Sequence, residues 1–418
     1  IYYRQVYGQA RANTLINQRW LTPYQAAVED GLDAVVNQPS SAFGPEYETI
    51  NYAKAPLFFD AVRRAVGDQI YQAILQEYVN RYRWGIAAPY DFLHIAETVP
   101  ERLEEMTTLT NPVTATSNWE DLITNPDIEA LMISATPETL HYPMAKAALE
   151  AGKHVLLEKP ISVTLDEADE LIDIAEAKGL KFTIGYSQRF NSKQAMAKRS
   201  IADGSLGDPV SVLISRHITR SLGSKVSSRT KLSPAAMEGT HDLDTAFWWL
   251  EPRKPVRVYS QNAWGVRREL HGVPDVQYMT VTMDDGVVVV VGAGMNLPRG
   301  YPNFSTTWME VIGTDGSLLM DASHKDIIYN TEKDGVRFPL STMPGEFVDH
   351  VYAGPMERET QHFLEAVAYD RDVMVDPRLA RTVMEVYLAA DLSAERNQVV
   401  ELPLNREEVA AMVAASVS

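Results

Sequence analysis

The chain of 418 residues contains no cysteine. Disulfides, thiolate zinc sites and a cysteine nucleophile are therefore excluded. Positive charge is scarce: 38 lysines and arginines stand against 56 aspartates and glutamates, a net charge of −18. That balance argues against a general nucleic-acid or anionic-membrane surface. The acidic residues are spread rather than blocked, which reads as a solubility feature. Long apolar runs are missing too. The longest, such as residues 287–291, fall far short of a membrane span. No His-Glu-x-x-His pattern, no internal repeat and no signal-peptide pattern is visible. What remains has ordinary globular composition, 45% hydrophobic and 22% charged, and is long enough for two or three domains. A cytoplasmic location is the expectation.

What is present changes character along the chain. Residues 1–99 read as helical. Leu57, Phe58, Ala61, Val62, Ala65 and Val66 recur at helical spacing, and Gly67 stops that helix. Asp68 caps the next, with Ile70, Ile74, Leu75, Tyr78 and Val79 on one face. Residues 90–97 are expected to form a further short helix. From Val99-Pro100 onward, strands alternate with helices. Residues 130–134, 153–157 and 180–185 read as strands, and 143–151 and 165–178 as helices, with Gly179 as a stop. Such units imply a parallel sheet. After about residue 208, strand patterns dominate: 210–217, 256–262, 276–283, 286–291 and 306–312. Asp284-Asp285-Gly286, Thr314-Asp315-Gly316 and Lys333-Asp334-Gly335 serve as turns. Residues 358–368 and 377–393 are amphipathic helices. The expected fold is α/β plus α+β. A helical segment (1–99) precedes an incomplete Rossmann-type parallel sheet (100–208), and a mostly antiparallel sheet domain follows (209–418).

Three groups carry chemistry. Ala135-Thr136-Pro137, followed by His141, lies just past the end of a strand. In open α/β sheets, ligands bind beyond the carboxyl ends of strands. Glu158-Lys159-Pro160 lies at the corresponding end of the next strand, where proline biases Lys159 away from the helical region. Glu238-Gly239-Thr240-His241-Asp242-Leu243-Asp244 opens a helix running to residue 250. Lysine and histidine at such places suit a proton relay. Taken singly, a lysine at a strand end is usually only solvated, and a histidine before a helix is usually a cap. The ordered set raises the functional reading above those.

These segments resemble the Gfo/Idh/MocA family of NAD(P)-dependent oxidoreductases. The resemblance rests on Ala135-Thr136-Pro137, His141, and the run from Ala148 to Pro160 that ends Gly152-Lys153-His154-Val155-Leu156-Leu157-Glu158-Lys159-Pro160. It extends through Ile184-Gly185-Tyr186-Ser187-Gln188-Arg189-Phe190-Asn191, Gly239-Thr240-His241-Asp242-Leu243-Asp244 and Val311-Ile312-Gly313-Thr314-Asp315-Gly316. It implies Lys159 as the central catalytic residue and His241 as its partner. Thr136, Pro137, Glu158 and Lys159 are implied at the NAD or NADP site. A sugar, polyol or inositol-like substrate is implied, together with a homo-oligomer formed through the second-domain sheet. The chain departs from the pattern in three ways. Met237 stands where the family commonly has an acid four residues before the histidine, and the adjacent Glu238 is expected to point elsewhere. Glu138 follows Thr-Pro in place of asparagine. No glycine-rich phosphate loop precedes the lysine, and the first strand, first helix and second strand with its ribose-binding acid are expected to be absent. Gly292-Ala293-Gly294 has similar glycine spacing but follows a second-domain strand, so it reads as packing.

Residues 1–99 have a second resemblance, to the gluzincin zinc aminopeptidases. It is carried by the stretch Asn51 to Asp60, with Tyr52 at the oxyanion-stabilising tyrosine, and by the stretch Tyr82 to Phe92. Without the zinc motif no metal site is expected. Two partial enzymes joined near residue 99 imply a chimeric chain. Three readings stand: an oxidoreductase using Lys159 and His241, a non-catalytic chimeric remnant, and a zinc aminopeptidase derivative, the last disfavoured for want of ligands.

Overall fold

A strand stands where the sequence reading placed a short helix. Strand β1, His94–Ala96, runs parallel to β2, Thr114–Thr116, with His94 opposite Thr114 and Ala96 opposite Thr116. Between them lies helix α1, Pro100–Thr110. Pro100 suits its first turn, where the missing N–H costs nothing. Asn111 ends it at φ 44, returning its N–H to the Thr107 carbonyl at 2.9 Å. Two expectations are corrected here. Residues 94–96 are not helical, and the strand that precedes α1 is not missing. Three residues are too few to show a period, so only pairing with β2 reveals the strand.

The computed structural model describes residues 14, 16–29, 54, 57, 93–227, 231–298, 301, 305–321, 329–333, 335–337, 346–348 and 351–405. The chain divides into two units, residues 1–117 and 118–418. The first holds β1, α1 and β2, and a helix at Thr22–Glu29. The expected helices at 57–66 and 68–79, and Tyr52, lie outside the described residues.

The second unit begins with a parallel sheet of three strands in the order β3-β4-β5: Ala130–Ile133, His154–Leu157 and Phe182–Ile184. Helices α2, His141–Glu150, and α3, Leu165–Ala177, connect them. Val155, Leu156 and Leu157 are fully buried, the continuous apolar run of a strand covered on both faces. The Thr164 side chain and Glu167 cap α3 reciprocally, and Gly179 follows at φ +64. Leu165, Ala168, Leu171, Ile172 and Ala175 form its buried face.

The larger sheet has seven strands. They are β6, Pro209–Thr219; β7, Pro255–Ala263; β8, Val276–Met283; β9, Val288–Leu297; β10, Ser305–Gly313; β11, Ser317–Asp321; and β12, Val400–Glu401. Their order is β11-β10-β6-β9-β8-β7-β12. All neighbours are antiparallel except β6 and β9. Helix α4, Thr240–Leu250, packs on β6 and β9. Helix α5, Pro355–Ala368, packs near β4, and α6, Pro377–Arg396, packs on β7 and also meets α3 and α4. One core runs from Ile133 through Trp249 and Val289 to Leu404, joining both sheets of this unit. The opposite face of the large sheet leaves Leu213, Tyr278, Trp308 and Ile312 exposed.

The glycine pair in β9 is packing, as expected. A Cβ at Gly294 would stand 2.1 Å from Nδ1 of His217, and one at Gly292 would stand 2.8 Å from the Tyr278 ring. Among the described residues no helix is long and apolar enough to cross a membrane.

Candidate active site at the strand ends

Strands β3 and β4 end side by side, with Ile133 opposite Leu157. The chain past β3 carries Thr136 and Pro137, both exposed. The chain past β4 carries Glu158 and Lys159, both half-buried. His141, at the start of α2 and 1% exposed, clamps the two segments together. Its ring nitrogens lie 2.7 Å from the Pro160 carbonyl and 3.0 Å from the Ala135 carbonyl.

Lys159 reaches across to the second domain. Its Nζ donates to the Met237 carbonyl at 2.9 Å and lies 3.9 Å from the Met237 sulfur. Met237 belongs to a π-turn, Ala235–Gly239, that leads straight into α4. Such turns are rare and often sit at functional sites. His241 follows in the first turn of α4. Its Nδ1 is buried and has no hydrogen-bond partner among the described residues. Burial, then the charges of Lys159 and Arg216, hold the imidazole well below its usual range. The ring is therefore neutral at neutral pH and can accept a proton.

Tyr186, just past β5, steadies this histidine. The Tyr186 and Thr240 hydroxyls lie 2.7 Å apart, and the tyrosine and His241 rings meet edge to face at 5.9 Å and 88°. Two buried ion pairs brace α4. Arg216 Nη2 donates to Asp242 Oδ1 at 2.8 Å, while Arg189 Nη2 donates to Asp244 Oδ1 at 2.7 Å. Both arginines and both aspartates are nearly free of solvent contact.

Glu158 is held between opposing influences. Burial raises its carboxyl, while the Lys159 charge and the Lys159 N–H, donated to Oε2 at 3.2 Å, lower it. Glu238 is half-buried. Burial raises its carboxyl, and the charges of Lys159 and Arg216 pull it down.

Sequence reasoning assigned no role to Tyr186, Arg189 or Asp244. In the first unit, Glu97 is the residue after β1. Its N–H donates to the Thr116 carbonyl at 3.1 Å, and its Oε1 accepts from the Val99 N–H at 2.9 Å.

Two family profiles match the chain. "Oxidoreductase family, NAD-binding Rossmann fold" matches residues 73–186, and "Oxidoreductase family, C-terminal alpha/beta domain" matches residues 198–402. The first begins well before residue 93, so it takes in the stretch Tyr82 to Phe92 that the sequence reading assigned to the peptidase resemblance. Among curated relatives, the oxidoreductase YrbE of Bacillus subtilis is 27% identical over 270 residues, covering 62% of this chain and 73% of the relative. The levoglucosan dehydrogenase of Pseudarthrobacter phenanthrenivorans is 29% identical, covering 56% of this chain and 65% of the relative. The inositol 2-dehydrogenase of Salmonella typhimurium is 30% identical, covering 44% of this chain and 53% of the relative. The chain thus spans less than two thirds of these two dehydrogenases. The scyllo-inositol dehydrogenase of Lactobacillus casei, solved with NAD(H) and scyllo-inositol, shares the fold at a TM-score of 0.63 and 21% identity. That alignment covers 74% of this chain and 91% of that one.

Proposed function

The chain belongs to the Gfo/Idh/MocA oxidoreductase family, and from that membership we propose that it moves a hydride between NAD(P) and a hydroxyl-bearing carbon of a sugar or polyol. The observation that carries this reading is the buried, orphaned Nδ1 of a neutral, half-buried His241 within the field of Lys159. A buried nitrogen without a partner is costly unless a ligand completes it.

The fit to a nicotinamide is tested by the same atoms. Thr136 and Pro137 past β3, with Glu158 and Lys159 past β4, would hold it at the carboxyl ends of a parallel sheet. The nicotinamide supplies the hydride acceptor or donor. The rest falls to the protein. Lys159 offers its Nζ to the substrate oxygen and steadies the negative charge that develops there. His241 takes the hydroxyl proton during oxidation and returns it during reduction. Tyr186 and Thr240 keep the ring in place for both directions.

The test is a turnover assay following NADH absorbance with a panel of inositols, hexoses and their anhydro forms. Oxidation that disappears in Lys159→Ala, with the fold retained, supports the reading; full turnover in that variant overturns it. A second reading, a chimeric chain without cofactor binding, is favoured by one observation: no G-x-G-x-x-G precedes Lys159. The resemblance of the N-terminal residues to zinc aminopeptidases belongs to that reading, as a remnant without zinc ligands. Stoichiometric zinc after gentle purification would speak against it.

The apolar open face of the large sheet supports a homo-oligomer. Leu213, Tyr278, Trp308 and Ile312 lie on strands whose other faces are buried. A patch of this kind suits a second copy of the chain. The cytoplasm is the location that fits a chain without cysteine.

A further inference from the structure

The first N–H groups of a helical turn find no partner within it. In the π-turn Ala235–Gly239, two residues outside the turn supply partners for three of them. The Ala235 N–H donates to Gln277 Oε1 at 3.1 Å, the Ala236 N–H to Ser233 Oγ at 3.2 Å, and the Met237 N–H to the Ser233 carbonyl at 2.9 Å. Gln277 lies in β8 and is fully buried. Both residues converge on one side chain of α6, the helix that packs on the turn. Gln277 Nε2 donates to Asp391 Oδ1 at 3.0 Å, and Ser233 Oγ donates to Asp391 Oδ2 at 2.9 Å. Burial raises the Asp391 carboxyl to about 6, against the two bonds that lower it, so it is mainly ionised at neutral pH. An ionised carboxylate only accepts. Gln277 must therefore turn its Nε2 to Asp391, which leaves its Oε1 for Ala235. Ser233 must spend its proton on Asp391, which leaves a lone pair for Ala236.

We propose that Asp391 is a positioning residue of the hydride-transfer site, setting the π-turn that offers the Met237 carbonyl to Lys159 and leads into the helix of His241. This rests on the oxidoreductase reading and deepens it. The chain of contacts is continuous. Asp391 orients Ser233 and Gln277, these hold the first three N–H groups of the turn, and the Met237 carbonyl accepts from Lys159 Nζ at 2.9 Å. His241 follows two residues after the turn ends. A small displacement of the turn moves the lysine acceptor and the histidine together, and proton transfer is sensitive to such misplacement. Lys159 and His241 stay the groups that meet the substrate, and Asp391 acts through the turn.

The first test needs no turnover. Amide hydrogen exchange of the full chain and of Asp391→Leu is followed by mass spectrometry, comparing the segment 233–241 with helix α3 in the same molecule. The variant should exchange roughly 10-fold faster in 233–241 and at the parent rate in α3. Asp391→Asn, whose amide can still accept from Gln277 and donate to Ser233, should return most of the protection. Equal exchange in 233–241, or equal acceleration in α3, overturns the proposal. Should Asp391→Leu fail to fold, Ser233→Ala removes one of the two bonds, and the same local acceleration, or its absence, decides. The second test is turnover. Asp391→Leu should lose roughly 10-fold in kcat with less than about a 2-fold change in KM, and Asp391→Asn should recover in part. Full kcat in Asp391→Leu overturns the proposal and leaves the oxidoreductase reading standing. A parent chain that oxidises no polyol overturns that reading instead, and the exchange result then decides whether Asp391 sets the turn.

Discussion

The guanidinium of Arg189 grips the carboxylate of Asp244 at two points, Nε to Oδ2 at 2.9 Å and Nη2 to Oδ1 at 2.7 Å. The pair is buried, and Arg189 also donates to the Met374 carbonyl at 2.9 Å, so it joins the segment after β5, helix α4 and the stretch before α6. Removing one partner leaves a charge in the core without compensation. Asp244→Ala should therefore lose about 3–5 kcal/mol of stability, read by urea denaturation. A loss under about 1 kcal/mol would mean that the pair is not buried as described.

A second carboxyl behaves differently. Glu359 on α5 is 3% exposed and its Oε1 has no partner among the described residues. Burial first, then the charges of Glu158 and Asp244, push it up to about 8. The sign follows from proton counting. Between the ordinary carboxylate range and about pH 8, the folded state keeps a proton that the unfolded state has lost, so stability falls as pH rises. Above that window the slope from this group vanishes. Glu359→Gln, which mimics the protonated acid, should be more stable than the parent at pH 7 by roughly 1–3 kcal/mol and lose that slope. Melting both proteins from pH 5 to 9 checks it, and parallel curves would refute it.

Gly313 permits a close approach between β10 and the chain before β6. A Cβ there would stand 2.1 Å from the Leu206 carbonyl oxygen, a backbone atom that cannot swing aside. At Gly316 the nearest atom would be a comfortable 3.4 Å away, on the Leu206 side chain. Gly313→Ala should cost about 1–3 kcal/mol and Gly316→Ala much less, measured by thermal melts on one buffer.

The open face of the large sheet predicts association. Light scattering at working concentration should give a mass above that of one chain, and the double variant Leu213→Lys/Trp308→Lys should return the single-chain mass. A parent that is monomeric would remove the oligomer from the account.

Legibility in the sequence followed length and repetition. The helix at Leu165–Ala177 has Thr164 and Glu167 at its start, an apolar face along its length and Gly179 after its end, so pattern and structure agree. Five strands of the large sheet, β6 to β10, run eight residues or more and were readable, whereas the short β11 and β12 were not. His94–Ala96 is three residues long and exists through its pairing with Thr114–Thr116, which no local pattern encodes. At the site, Lys159 and His241 stood out because of the motifs around them. The reach of Lys159 to the Met237 carbonyl depends on how two distant segments pack. Spacing within one segment gives no access to such a contact.

Under the proposed relay, His241 is expected to set the acidic limit of activity. Its proton affinity is lowered by burial and by the charges of Lys159 and Arg216, so the neutral ring persists to pH values below the usual histidine range. Turnover should hold steady from pH 8 to about pH 6.5 and fall only at lower pH. His241→Gln should lose about 10²-fold to 10⁴-fold in kcat at pH 7 while still binding NADH.

The most direct test of the central claim is a calorimetric titration of the full chain with NADH and, separately, NADPH. Saturable binding of about one NADH or NADPH per chain is the expected result. No heat of binding with either cofactor at millimolar concentration would contradict it. Lys159 and His241 would then stand at the strand ends of a chain that carries out no hydride transfer.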